Sequence, residues 1–259
     1  MEPKFRKLKT FNIWAAVLHL ISGAIMLALS TDLLVPVTGS FLKFDVASQS
    51  LVPELRNLFS IKLGPLVASF LFMSSIAHFL VAFPLNKWYN QNLAKNINIA
   101  RWIEYVFSSS VMIVVISLLV GISDIATLVG FFFLNASMIL FGWMMELHNQ
   151  SIRNNPSTSS GQVCWTSFIF GCIAGIGPWI GIAIYLASPG STSNPPTFVY
   201  WIFFSIFLFF NCFAINQVLQ YKKVGKWSDY LYGERAYIIL SLVAKSLLAW
   251  QVWAGTLRP

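Results

Sequence analysis

Two ionisable residues stand where the surrounding sequence is almost wholly apolar. Lys245 lies in AYIILSLVAKSLLAWQVWAGTL, near the middle of a run long enough to cross a bilayer. An amine at that depth is costly and cannot reach water by bending its side chain. Two chemistries make it tolerable. It can be neutral or paired in a structural network, or it can be capped covalently as a Schiff base, which a desolvated lysine forms readily. Glu104, in NINIARWIEYVFSSSVMIVVI, is the one acid that reads as lying well inside a span, because Asp124, Glu146 and Glu234 fall at helix ends. It sits about seven residues into its run, roughly 10 Å deep, a depth compatible with Lys245. A buried acid facing a buried base suits a structural ion pair, and it equally suits the counter-ion of a protonated Schiff base.

Smaller polar groups cluster near these two by helical spacing. Ser241 is one turn before Lys245 on the same face, and Ser108 is one turn after Glu104. His19 and His78 both fall in the half of the bundle that holds Glu104. Each suits an interhelical hydrogen bond, and together beside an acid they suit a hydrated, proton-accepting cavity. No zinc-ligand spacing, phosphate loop or nucleophile elbow occurs, so neither a metal site nor an enzyme is expected.

The elements that must position these groups follow from composition. Of 259 residues, 57% are hydrophobic and 10% charged, against about 25% charged in a soluble domain. Seven runs are long enough to span: about 11–30, 61–83, 97–120, 124–147, 164–187, 198–220 and 235–257. The expected fold is an all-α membrane protein, a single domain over 1–259 built as a seven-helix bundle in a lipid bilayer. The first run follows a basic start and is expected to be retained as a helix rather than removed as a leader. Polar stretches with Pro, Gly, Asn and Ser separate the runs, among them 84–98, 149–161 and 188–196. The connection after the first run holds VPVTGSFLKF (Val35–Phe44), two short apolar pieces around Gly39-Ser40, which predicts a small β-hairpin.

Twelve Lys and Arg, among them Arg101, flank the spans on the N-terminal side and four lie on the other. That asymmetry predicts a cell-membrane protein with a cytoplasmic N-terminus and an extracellular C-terminus, the hairpin also outside. The formal charge of +8 is then a topology signal and an attraction to anionic lipid, not a nucleic-acid footprint. The basic loop Lys222–Arg235 reads either as part of this signal or as a docking site for an unidentified cytoplasmic partner. Gly171-x-x-x-Gly175 and Gly177-x-x-x-Gly181 permit close helix contact, within the chain or across a dimer seam. The sixth run, FVYWIFFSIFLFFNCF, is aromatic enough to wall a long apolar ligand. Cys164, Cys172 and Cys212 read as packing residues. Asn149-Gln150-Ser151 matches a glycosylation triplet but falls on the cytoplasmic side.

Along essentially its whole length the chain resembles a heliorhodopsin. The resemblance rests on RWIEYVFSSSVMI (Arg101–Ile113), LNASMILFGW (Leu134–Trp143), GCIAGIGPWIG (Gly171–Gly181), PGSTS (Pro189–Ser193) and GERAYIILSLVAKSLLAWQ (Gly233–Gln251). It implies seven helices around all-trans retinal, a Schiff base on Lys245, Glu104 as counter-ion, and the same inverted topology. The family's two cavity histidines match His19 and His78. Its chromophore pocket carries over to Tyr105, Ser109, Asn135, Met138, Phe207 and Phe210, beside Ser241 and Ser108. Its dimers pack through the fourth and fifth spans with help from the first extracellular loop. Rhodopsin pumps place a second acid four residues before the lysine, where this chain has Ser241. Proton pumps often carry a donor acid eleven residues past the counter-ion, where this chain has Val115. The expected function is light sensing with a slow photocycle and no efficient pumping. Light-driven or light-gated ion transport, and light-regulated control of a cytoplasmic enzyme, are the alternatives.

Overall fold

A computed structural model describes residues 3–154, 162–187 and 195–258. The Pro189–Ser193 motif and most of the 149–161 loop lie outside the described residues. Among the described residues, seven helices are long and apolar enough to cross a membrane. They are α1 (Pro3–Leu29), α2 (Leu63–Ala82), α4 (Ile99–Leu119), α5 (Ile125–Asn154), α6 (Thr166–Ala187), α7 (Thr197–Tyr221) and α8 (Tyr230–Val252), the last extended by a π-turn, Trp253–Leu257. Spanning segments must satisfy their backbone groups internally, which is why every apolar run is helical.

Helix ends depart from the sequence reading where capping or packing extends them. Helix α5 continues to Asn154, so the Asn149 triplet is helical and Asn149 is buried. Its amide bonds to the Met145 and Cys164 carbonyls. The 84–98 break contains a further short helix, α3 (Asn86–Ala94), which buries Tyr89 and Leu93 against the N-terminal end of the bundle.

The predicted hairpin exists but is longer, and its turn lies elsewhere. Strands β1 (Leu34–Asp45) and β2 (Ser50–Lys62) pair antiparallel, with an irregularity between Val37 and Thr38. Gly39 sits mid-strand opposite Arg56. The turn is 46–49, where Gln49 takes a positive φ. Asp45 accepts hydrogen bonds there from the Ser48 hydroxyl and from the backbone of Ser48 and Ala47. Those bonds hold its carboxyl below the ordinary value. The hairpin base docks on the α4–α5 connection. Thr38 bonds to Ser123 through both backbone (2.8 Å) and hydroxyl (3.0 Å), and Val37 is fully buried.

The interior is divided by polarity. Toward the hairpin end it is apolar, built from Val37, Leu63, Val67, Phe70, Met112, Ile113, Ile116, Trp179, Ile182, Ile202, Leu248 and Val252. Toward the N-terminal end it carries buried Asn12, His19, Asn98, Arg101, Glu146, Asn216, Gln220 and Glu234. The glycines of α6 resolve one open question. A Cβ on Gly171 or Gly175 would meet Met138 or Phe141, on Gly177 Leu134, and on Gly181 Phe131. All four therefore face α5 of the same chain.

Removing two methyl groups from a fully buried site costs about 2 kcal/mol. Val37→Ala should lower stability by about that much, read as a lower melting temperature in detergent. An unchanged melting temperature would show that the hairpin does not lock the bundle.

Candidate functional site

Helices α2, α4 and α8 bring the two central charges together. The Lys245 Nζ donates to Glu104 Oε1 at 2.6 Å and to the Ser74 Oγ at 2.6 Å. Ser74 in turn donates to the same carboxylate oxygen at 2.7 Å. Both side chains are at least nine-tenths buried. A lysine side chain leans toward the N-terminus of its helix, which carries the amine back to the level of Glu104. Ser74 was not anticipated: a serine within an apolar helix gives no sequence signal beyond helix packing.

The amine also opens onto a cavity. It is lined by Trp102, Tyr105, Ser109, Met112, Met138, Ile139, Gly142, Phe168, Gly171, Cys172, Phe210, Phe213, Ala214, Gln217, Tyr237, Ser241, Ala244 and Lys245. The lining is mostly carbon, as in sites that take apolar ligands. Of the expected pocket residues, Tyr105, Ser109, Met138, Phe210 and Ser241 line it together with Lys245. Three stand back from it. Asn135 donates to the Ser109 and Ser110 hydroxyls at 2.8 and 3.1 Å. Phe207 packs edge-on against Trp179, as Phe210 does. Ser108 is fully buried.

A second, smaller cavity with several polar residues in its lining lies toward the N-terminal end, bounded by Asn12, His78, Tyr89, Asn98, Arg101, Glu104, Glu234 and Tyr237 among others. His78 bonds through Nδ1 to Asn12 Oδ1 at 2.7 Å. His19 stacks on His78 with ring centroids 5.8 Å apart. It is fully buried, and its two ring nitrogens have no hydrogen-bond partner among the described residues. The two histidines therefore form one unit, of which His78 faces the cavity.

Glu146, Glu234 and Arg101 lie toward helix ends, where the sequence reading placed them, yet packing takes them inside. All three are buried. The Arg101 guanidinium bonds to Glu146 at 2.6 Å and to Glu234, and it lies 3.9 Å from the Tyr237 ring centroid. Trp102 and Tyr230 donate to Glu146 at 2.6 and 3.0 Å. Asn98, which caps α4, donates its backbone N–H to Glu146 and its amide to Glu234. Sequence reasoning missed this cluster because each member lies near the end of a different apolar run, where a charge is unremarkable. Trp102 and Tyr237 belong to both structures, since each also lines the large cavity.

A family model described as Heliorhodopsin matches residues 8–257. The chain belongs to the heliorhodopsin family. A comparison with curated proteins finds no match. Membership implies a retinal-based, light-responsive rhodopsin. The residues present fit such a chromophore. The heliorhodopsin chain has a buried primary amine at the edge of a largely apolar cavity, aromatic walls on α7, and a carboxylate within ion-pair distance of the amine.

Removing one partner of a buried ion cluster costs about 3–5 kcal/mol. Arg101→Gln leaves two carboxylates facing each other and should lower the melting temperature accordingly. Adding Glu146→Gln and Glu234→Gln to it should restore most of the loss. A single variant as stable as the parent would show that the cluster is screened by water.

Proposed function

We propose that this heliorhodopsin is a light sensor that carries all-trans retinal on Lys245, with Glu104 as the balancing carboxylate. The observation that carries the reading is the Lys245–Glu104 contact at 2.6 Å at the edge of a largely apolar cavity. Retinal, when bound, supplies an aldehyde that condenses with an amine and a polyene that absorbs visible light. Everything else is done by the chain. Lys245 supplies the amine, and Glu104 and Ser74 hold the positive charge in a medium where an unpaired cation is prohibitive. Tyr105, Ser109, Met138, Phe210 and Ser241 bound the space in which the ligand is held.

The polarity division of the interior supports sensing rather than pumping. Glu104, His78 and His19 lie together on the N-terminal side of the amine as candidate proton acceptors. On the hairpin side the neighbours of Lys245 along α8 are Leu248, Ala249 and Val252, packed against Met112, Ile113 and Ile116. Vectorial transport needs proton-exchanging groups on both sides. A proton that leaves the amine and returns from the same side produces a conformational signal without net transfer, and a slow photocycle suits that role. The Lys and Arg asymmetry supports a cytoplasmic N-terminus, so the signal would be read by an unidentified cytoplasmic partner. A homodimer through α5 and α6, helped by the hairpin, completes the proposal.

Purified protein mixed with all-trans retinal should become coloured and bleach with hydroxylamine, whereas Lys245→Ala should stay colourless. A visible band retained by the alanine variant would overturn the attachment. Glu104→Gln should move the absorption maximum to longer wavelength, and an unchanged spectrum would remove Glu104 from its role. Light-induced current in a voltage-clamped cell should be absent, and sustained current would favour transport.

A further inference from the structure

The N-terminal ends of α1 and α8 form a basic groove that the chromophore site does not use. It is lined by Arg6, Lys7, Thr10, Phe11 and Arg235. Of the other cations near this end, Lys4 pairs with Asp229 at 3.7 Å and Lys9 lies over the Phe83 ring; within the groove, Arg235 lies near the Tyr232 ring. Arg6, Lys7 and Arg235 have no acid within ion-pair distance among the described residues. The acid adjacent to Arg235 in the chain, Glu234, is turned inward onto Arg101. Three cations without an acid partner among the described residues thus converge on a groove with no carboxylate in its lining.

The groove does not end at its charges. Along α1, Lys7, Phe11, Trp14 and Leu18 follow one another at spacings of four, three and four residues, which places them on one face. Phe11, Trp14 and Leu18 are all exposed. Along α8, Arg235 is followed at four-residue spacing by exposed Ile239 and Val243. The two helices pack on each other. Each therefore presents the same order: a cation at the end, then an apolar rail running into the depth of the membrane. Basic pockets between spanning helices are suited to anionic lipid heads, and an exposed tryptophan just below them suits the headgroup boundary.

We propose that this groove is a binding site for one anionic phospholipid. The phosphate sits among Arg6, Lys7 and Arg235, and an acyl chain lies along Phe11, Trp14 and Leu18. The alternative is diffuse attraction of a basic surface, to which every cation at this end contributes equally. The chemistry separates the two. A site needs particular cations and a chain, whereas a diffuse field counts only charge.

The test uses the full-length protein in detergent, titrated with phosphatidylglycerol, phosphatidylcholine or inorganic phosphate. Bound lipid is counted by native mass spectrometry and stability followed by melting. Phosphatidylglycerol should be retained and should raise the melting temperature, and phosphatidylcholine and inorganic phosphate should do neither. The double variant Arg6→Gln/Arg235→Gln should weaken phosphatidylglycerol retention roughly tenfold or more. It should melt like the parent in phosphatidylcholine, which shows that it is folded. Lys222→Gln/Lys226→Gln, which removes the same charge from the same end, should retain the lipid like the parent. Equal losses in the two double variants, or none in the first, would overturn the site. Stabilisation by inorganic phosphate to the same extent would overturn the lipid assignment.

Discussion

A cation in the middle of a hydrocarbon slab has to be balanced, and much of this molecule follows from how Lys245 is balanced. Its amine is held by Glu104 and Ser74, which come from two other helices. A pair of this kind is a weak source of stability, because desolvating both charges offsets most of their attraction. It is a strong source of specificity. Leaving either partner alone would strand a charge in hydrocarbon, so α2, α4 and α8 are held in one relative register. The cavity beside the amine exists only in that register, with α4 on one side and α7 and α8 on the other.

The same constraint explains the uneven interior. Buried polar groups need partners. The Arg101 cluster and the two histidines are collected in one half of the bundle, and the other half is mostly hydrocarbon, its few polar groups such as Ser117 and Asn135 bonded locally. At the N-terminal end two carboxylates share one guanidinium, and the cap of α4 is part of that arrangement. Trp102 and Tyr237 touch both this cluster and the cavity wall. A change of shape in the cavity therefore meets side chains that are also anchored to buried charges near one membrane face. That contiguity is a physical route by which an event at Lys245 can reach the end of the bundle where the basic groove lies.

The spans, their number, the hairpin and the central pair were legible in the sequence, and the reason is the solvent. In hydrocarbon a run of apolar residues has one backbone solution, the helix. A lone Lys or Glu within such a run is costly and needs a partner, so Lys245 and Glu104 were conspicuous. Ser241 was picked out by helical spacing, and His19 and His78 by their depth in their runs, where a packing role also stood open. The hairpin turn was misplaced because Gly39 looks like a turn residue, whereas the chain turns at 46–49 under the Asp45 side chain.

What the sequence could not determine depends on which faces meet. Ser74 became a partner of the charge pair only when α2 was set beside α4 and α8. Glu146, Glu234 and Arg101 lie far apart in the chain, each near a helix end where charge is ordinary, and only packing made them a buried cluster. The α6 glycines suited a dimer seam or internal contact until α5 was found against them. One-dimensional hydrophobicity settles that a segment crosses the membrane. The direction each of its sides faces is decided by neighbours distant in sequence, through shape and charge that exist only once the helices are assembled.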